Sequence, residues 1–285
     1  MGNVSDALKK HGVEKPAGAE PKQEAGKVAE ALREASAAGV SGEAGRPECV
    51  EPVQTAILGQ HPTNNYSKVL TAHHDRGSTL TEQYRALRTN LMAQYPNRRC
   101  CLMVTSAEAG EGKTVTTLNL GLVLAEQQEC RTVVVDGDLR KARVGHYLHL
   151  KNHRGLAEVL RGEASLKEVV QPTVYPNLFV VPAGQTRPEA VGELFGRPEL
   201  DEAVHELRRE YDFVLIDTPP INVVSDAGML GRAADEALVV VRMNKTHRES
   251  AEKAMRLLHA VNVKVVGVVL THQKYYIPDY LYRYS

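Results

Sequence analysis

Near Ser78 the pattern of apolar and polar residues changes abruptly. Leu80, Tyr84, Leu87 and Leu91 recur at helical spacing, with Ser78 or Thr79 ahead of them as a cap. Six apolar runs follow: CCLMVTS, TVVVD, LFVVPA, FVLID, ALVVVRM and VVGVVLT. They read as buried strands, and helical stretches at 113–127, 198–210 and 247–260 separate them. This alternation predicts an α/β fold with a mainly parallel twisted sheet flanked by helices on both faces. Upstream of this region, Ala, Gly, Glu, Lys and Pro dominate and aromatics are scarce, so little apolar surface is available to offset chain entropy. VSDALKKHGV and KVAEALREASAA have helical spacing, but they are short. The expected organisation is a mobile extension over 1–76, a folded domain over 77–271 and a tail over 272–285.

Composition removes some function classes. Lys plus Arg and Asp plus Glu both number 35, so the net charge is +0 and no global field favours nucleic acid or an anionic membrane. The four cysteines have no CxxC spacing and are read as reduced, structural thiols of a cytoplasmic protein. No run of about eighteen apolar residues exists, so a membrane role is expected to need a partner.

The candidate chemistry lies at the strand ends. After the first buried run comes AEAGEGKT, residues 107–114, and a helix follows at once. Gly110 and Gly112 let backbone N–H groups approach a phosphate, and the helix N-terminus adds partial positive charge. Lys113 is expected to reach the β and γ phosphates, with the Thr114 hydroxyl placed to ligate Mg²⁺. Ala109, Gly110, Glu111, Gly112, Lys113, Thr114 and Val115 form the expected ATP-binding stretch, and Ala107 stands where the first glycine of this loop is usual. The second run ends in Asp136-Gly137-Asp138-Leu139-Arg140, and FVLID ends in Asp217. In a parallel sheet these ends line one crevice, where hard carboxylate oxygens suit Mg²⁺, usually through water.

Together these segments resemble the bacterial tyrosine kinases, the cytoplasmic autokinases of capsule and exopolysaccharide export. LMVTSAEAGEGKT is similar to that family's Walker A motif, VVVDGDLR to its Walker A′ and VLIDTPP to its Walker B. EQYRALR, with Glu82, Arg85 and Arg88, is similar to its oligomerisation helix. The resemblance covers about residues 77–285 and implies a P-loop fold of the deviant Walker A type. The implied activity is autophosphorylation of tyrosines with ATP and Mg²⁺, in trans within a ring of identical subunits. It also implies Lys113, Asp136 and Asp138 as catalytic, Asp136 being the expected base and able to exchange roles with Asp138. Thr114, Asp138 and Asp217 are the implied metal set. Arg140 either tunes the site or makes a structural salt bridge.

Five of the eleven tyrosines, Tyr275, Tyr276, Tyr280, Tyr282 and Tyr284, crowd the tail. Pro278 and the charged neighbours Lys274, Asp279 and Arg283 suit a mobile phosphoacceptor better than a packed cluster. Without the resemblance, Glu82, Arg85 and Arg88 would be an ordinary solvated helix face. His146, His149 and His153 lack supporting Cys or carboxylate residues and are read as polar surface groups. A separate transmembrane polysaccharide co-polymerase is the expected activator, recruiting the kinase to the inner face of the membrane. Two competing readings are a partition or septum-positioning ATPase and an ATP-controlled scaffold. The first is disfavoured by Glu108, where those ATPases carry a signature lysine.

Overall fold

The computed structural model describes residues 65–96, 99–150, 154–234 and 236–273, all within one compact unit. The tail tyrosines, His153 and the two short helical patterns upstream lie outside the described residues. Seven strands form one sheet: β1 (Cys100–Ser106), β2 (Thr132–Asp136), β3 (Gln171–Pro172), β4 (Leu178–Val181), β5 (Phe213–Asp217), β6 (Glu236–Arg242) and β7 (Lys264–Thr271). Their order is β3-β4-β2-β5-β1-β6-β7. Every pairing is parallel except that of β3 with β4.

Helices cover both faces, as the continuous apolar strands require. On one side lie α1 (Thr71–His74), α2 (Thr79–Gln94), α3 (Lys113–Leu124) and α4 (Arg143–Tyr147). On the other lie α5 (Leu156–Leu160), α6 (Leu166–Val169), α7 (Val191–Phe195), α8 (Glu199–Glu210), α9 (Asp226–Ala234) and α10 (Arg248–Ala260). Side chains of β1 and β5 alternate between the two cores. Leu102, Val104, Phe213 and Leu215 join the α1–α4 core, while Cys101, Met103, Val214 and Ile216 join the α5–α10 core. The helix α8 shows why the pattern was readable. Leu200, Ala203, Val204 and Leu207 form its buried stripe, acidic residues fill its first turn, and Arg208 and Arg209 close its last.

The folded unit begins upstream of the expected start at residue 77. Tyr66, Leu70 and Ala72 are buried in the α1–α4 core. Asn119, in the middle of α3, accepts from the Ala72 N–H at 2.9 Å and donates to the Val115 carbonyl at 2.9 Å. His73 Nδ1 and Tyr175 Oη pair at 2.8 Å, and the Val174 N–H donates to Tyr66 Oη at 3.2 Å. A few apolar side chains and one asparagine thus hold residues 65–76, a stretch too short for periodicity to reveal.

The α2 helix also departs from expectation. Leu80 is 45% exposed, whereas Thr81, Tyr84 and Leu91 are buried. Arg85 and Arg88 do not form a solvated face. Arg85 Nη2 and Arg88 Nη1 donate to Glu126 at 2.7 and 2.8 Å, and Arg88 Nη1 also donates to the Val123 carbonyl at 2.6 Å. Glu82 pairs with Arg85 at 2.5 Å from a more exposed position. Glu126 stands just beyond the C-terminus of α3, so the arginines clamp α2 to the end of the helix that begins at Lys113.

Candidate nucleotide site

Sheet order gathers the predicted groups at one place. β1 lies between β5 and β6, and β2 lies beside β5. Val104 aligns with Asp217 and Asp217 with Asp136, so the carboxyl ends of three strands form one rim. The loop from Ala107 to Gly112 leaves β1 at this rim and enters α3. Gly112 is left-handed at φ 99°, a conformation that L side chains strain against, and it turns the chain into the helix. Ala109 and Gly110 are exposed at the loop tip, whereas Ala107, Glu111 and Lys113 are buried. Gly137 fits for a different reason. Its N–H donates to the Asp217 carbonyl at 2.8 Å, and an added Cβ would lie 2.8 Å from that same oxygen. The Asp-Gly-Asp spacing therefore brings the end of β2 against the end of β5.

The carboxylates are packed tightly. Thr114 Oγ1 donates to Asp217 Oδ2 at 2.6 Å. Asp136 Oδ2 accepts from the Val144 N–H, the second residue of α4, at 3.0 Å. Asp136 and Asp217 are fully buried, while Asp138 is 7% exposed nearer the mouth and accepts from the Lys141 N–H at 3.3 Å. Burial pushes the Asp217 carboxyl up to about 7, against the opposing pull of the Thr114 hydroxyl and the Lys113 ammonium. Burial, reinforced by the neighbouring Asp217, holds Asp136 well above the ordinary carboxylate range. Lys113 is lowered by burial, with Asp217 and Asp138 working against that shift.

Asp136 Oδ1 and Asp217 Oδ1 are buried and have no hydrogen-bond partner. Two adjacent buried carboxylates, each with one unsatisfied oxygen, together with the Thr114 hydroxyl bound to Asp217, fit a hydrated divalent cation. His146 and His149 line a separate shallow cavity of about 310 Å³ with Ala142, Gly145 and Leu150. Among the described residues, no group of three or more His, Cys, Asp or Glu side chains could hold a metal on its own. Arg140 takes its structural role here, donating to Asp226 Oδ2 at 2.6 Å and to the Pro188 carbonyl at 2.8 Å.

The loop is also braced from its β6–β7 flank, a feature without a signal in the sequence. The Glu111 carboxylate accepts from the Glu108 N–H at 2.7 Å and from the Thr246 hydroxyl, and Thr271 Oγ1 donates to the Glu111 carbonyl at 2.7 Å. These partners are 135 and 160 residues away along the chain, and no local pattern signals them.

Comparison with known proteins adds the family. Residues 101–266 match the model of a family described as an AAA domain. The chain is 36% identical over 195 residues to the tyrosine-protein kinase YwqD of Bacillus subtilis, covering 68% of this chain and 81% of that one. The chain belongs to the bacterial tyrosine kinase family. Among solved structures, the chimerical protein CapA2B2 superposes with a TM-score of 0.68 at 28% identity, covering 73% of this chain and 91% of that one. The septum site-determining protein MinD from Pyrococcus horikoshii, solved with Mg-ADP, gives 0.54 at 27% identity, covering 64% and 75%. The tyrosine kinase family thus shares its P-loop scaffold with septum-positioning ATPases.

Proposed function

We propose that the chain is an ATP-dependent protein-tyrosine autokinase that transfers the γ-phosphoryl group to tail tyrosines of a neighbouring copy. The observation that carries this reading is the meeting of Lys113, Thr114, Asp136, Asp138 and Asp217 at three adjacent strand ends, with the Thr114–Asp217 contact at 2.6 Å. The N–H groups of the 107–114 loop bind the phosphates, and Lys113 offsets charge on the transferred group. Thr114, Asp138 and Asp217 are the residues that would hold Mg²⁺, which would supply positive charge to offset the phosphates. Asp136 accepts the tyrosine hydroxyl proton, its basicity raised by burial and by Asp217. Asp138, nearer the mouth, is the alternative base.

The acceptors are Tyr275, Tyr276, Tyr280, Tyr282 and Tyr284. Each phosphotyrosine adds about −1.5 to −2 charges, so a modified tail repels its neighbours and loosens a ring. Glu82, Arg85 and Arg88 contribute to the subunit contact. Among the described residues no helix is long and apolar enough to cross a membrane. A separate transmembrane co-polymerase recruits and activates the kinase at the cytoplasmic face, where it regulates capsule or exopolysaccharide polymerisation and export. Support for the kinase over a partition ATPase comes from the 36% identity to YwqD and from Glu108 at the signature-lysine position.

The test is incubation with Mg²⁺ and γ-labelled ATP. Label on tyrosine is expected, lost on Lys113→Ala and on truncation before Tyr275. Hydrolysis of ATP without any protein label, even with a membrane activator fragment present, would sink the reading.

A further inference from the structure

We propose that Glu111 is a positioning residue that sets the phosphate loop before any nucleotide arrives, by latching it to the turn after β6. This rests on the nucleotide-site reading above. Glu111 is fully buried, which is costly for a carboxylate unless donors surround it. Its donors are unusually distributed. Oε2 accepts from the N–H of Glu108 in its own loop at 2.7 Å. Oε1 takes the Thr246 hydroxyl and, at 3.5 Å, the Arg242 N–H, both from the far end of β6 and the turn beyond it. The Glu111 carbonyl accepts the Thr271 hydroxyl at the end of β7, and the Thr271 methyl lies 3.6 Å from where a Cβ on Gly112 would stand.

One residue therefore ties the loop to both strands on its flank. The Glu108 and Arg242 N–H groups that face the Glu111 side chain can only donate, so the site calls for an acceptor oxygen at each of its two positions. A glutamine keeps one acceptor oxygen, so its NH₂ would face either the Glu108 N–H or the Arg242 N–H, and the arm that meets NH₂ would be weakened. The Glu108 N–H belongs to the loop whose amides line the phosphate cradle, and its direction is fixed through Oε2. The same latch holds the turn against the loop tip. Arg242 Nη1 donates to the Gly110 carbonyl at 3.4 Å, and Lys245 Nζ lies 3.9 Å from where a Cβ on Gly110 would stand. The latch thus pre-pays the ordering of an exposed glycine loop, which otherwise would be charged against nucleotide binding.

The experiment uses the full chain and titrates Mg²⁺ with a fluorescent ADP analogue, alongside a thermal melt without nucleotide. Glu111→Gln is expected to weaken nucleotide binding about tenfold. Thr246→Val should weaken it severalfold, while Thr246→Ser, which keeps the hydroxyl, binds like the parent. The double variant Glu111→Gln/Thr246→Val should fall short of the product of the single effects, because both cut the same latch. In kinase assays KM for ATP should rise more than kcat falls. A lowered melting midpoint with nucleotide affinity within twofold of the parent in both Glu111→Gln and Thr246→Val would overturn the proposal and leave Glu111 a structural residue. Lys113→Ala serves as the control. If it too leaves affinity unchanged, the nucleotide-site reading itself has failed, a result distinct from failure of the latch alone.

Discussion

Replacing Asp217 with asparagine keeps the shape of the site and an oxygen to accept the Thr114 hydroxyl, but removes a buried charge. In the native protein burial raises this carboxyl from 3.8 to about 7. The folded form thus holds its proton to higher pH than the unfolded chain. The group's contribution to stability is fully present below about pH 3.8 and is lost as pH rises through about 7. The gap corresponds to at most about 4 kcal/mol of strain in the nucleotide-free protein above pH 7. Relaxation around the site leaves about 2 kcal/mol as the working figure, or about 5 °C in melting midpoint for a domain of this size. Asp217→Asn is therefore expected to melt higher than the parent at pH 8 without nucleotide, with the gain shrinking toward nothing near pH 4. With Mg-ADP the order reverses, because the variant lacks the charge that favours a dication. In the parent, stabilisation by Mg-ADP should grow from pH 6 to pH 8. Differential scanning fluorimetry across this pH range decides the matter. A variant that melts at or below the parent at pH 8, or that differs from it equally at every pH, is incompatible with a burial-raised Asp217 carboxyl.

Three further outcomes follow from the geometry. Gly137→Ala forces a Cβ to within 2.8 Å of the Asp217 carbonyl, so β2 must shift from β5; nucleotide affinity should fall at least tenfold and stability by about 1–3 kcal/mol, read by titration and urea unfolding. Asn119→Leu strands the Ala72 N–H and should cost about 2–3 kcal/mol, with amide exchange accelerating selectively in residues 65–76 if Asn119 pins that segment. The Glu126 carboxyl is lowered by Arg85 and then, after a burial effect of opposite sign, by Arg88, so its stabilisation is present above pH 4.5 and lost as pH falls through its lowered value. Glu126→Gln should accordingly cost about 1 kcal/mol at pH 7, with the difference from the parent closing in acid.

Helices and strands that carry a long, unbroken pattern were legible in the chain. The expected 113–127, 198–210 and 247–260 became α3, α8 and α10 with ends displaced by a few residues at most, because apolar spacing and capping chemistry agree there. The α9 helix, DAGMLGRAA, was not, since its two glycines break the propensity signal and packing against the sheet decides instead. Nor was the β3–β4 pairing, which rests on two residues. That Lys113, Thr114, Asp136, Asp138 and Asp217 come together was readable because strand ends in a parallel sheet converge on one rim. Their mutual burial, and the side chains Thr246 and Thr271 that brace the loop, depend on the order of strands in the sheet. Local patterning along the chain does not encode that order. The arginines of α2 stood out in the chain, but their intramolecular partner Glu126 did not, since a single acid beyond a helix end carries no local signal.

In the proposed reaction, phosphate passes from ATP on one copy to the tyrosine tail of another. A mixture of two chains tests it directly: full-length Lys113→Ala as acceptor, and a chain truncated before Tyr275 with its nucleotide site intact as donor, in the presence of a membrane activator fragment. With Mg²⁺ and γ-labelled ATP, phosphotyrosine should accumulate on the Lys113→Ala chain and map by mass spectrometry to Tyr275, Tyr276, Tyr280, Tyr282 or Tyr284. ATP consumption by the donor, with the acceptor tail left unmodified, would contradict the account.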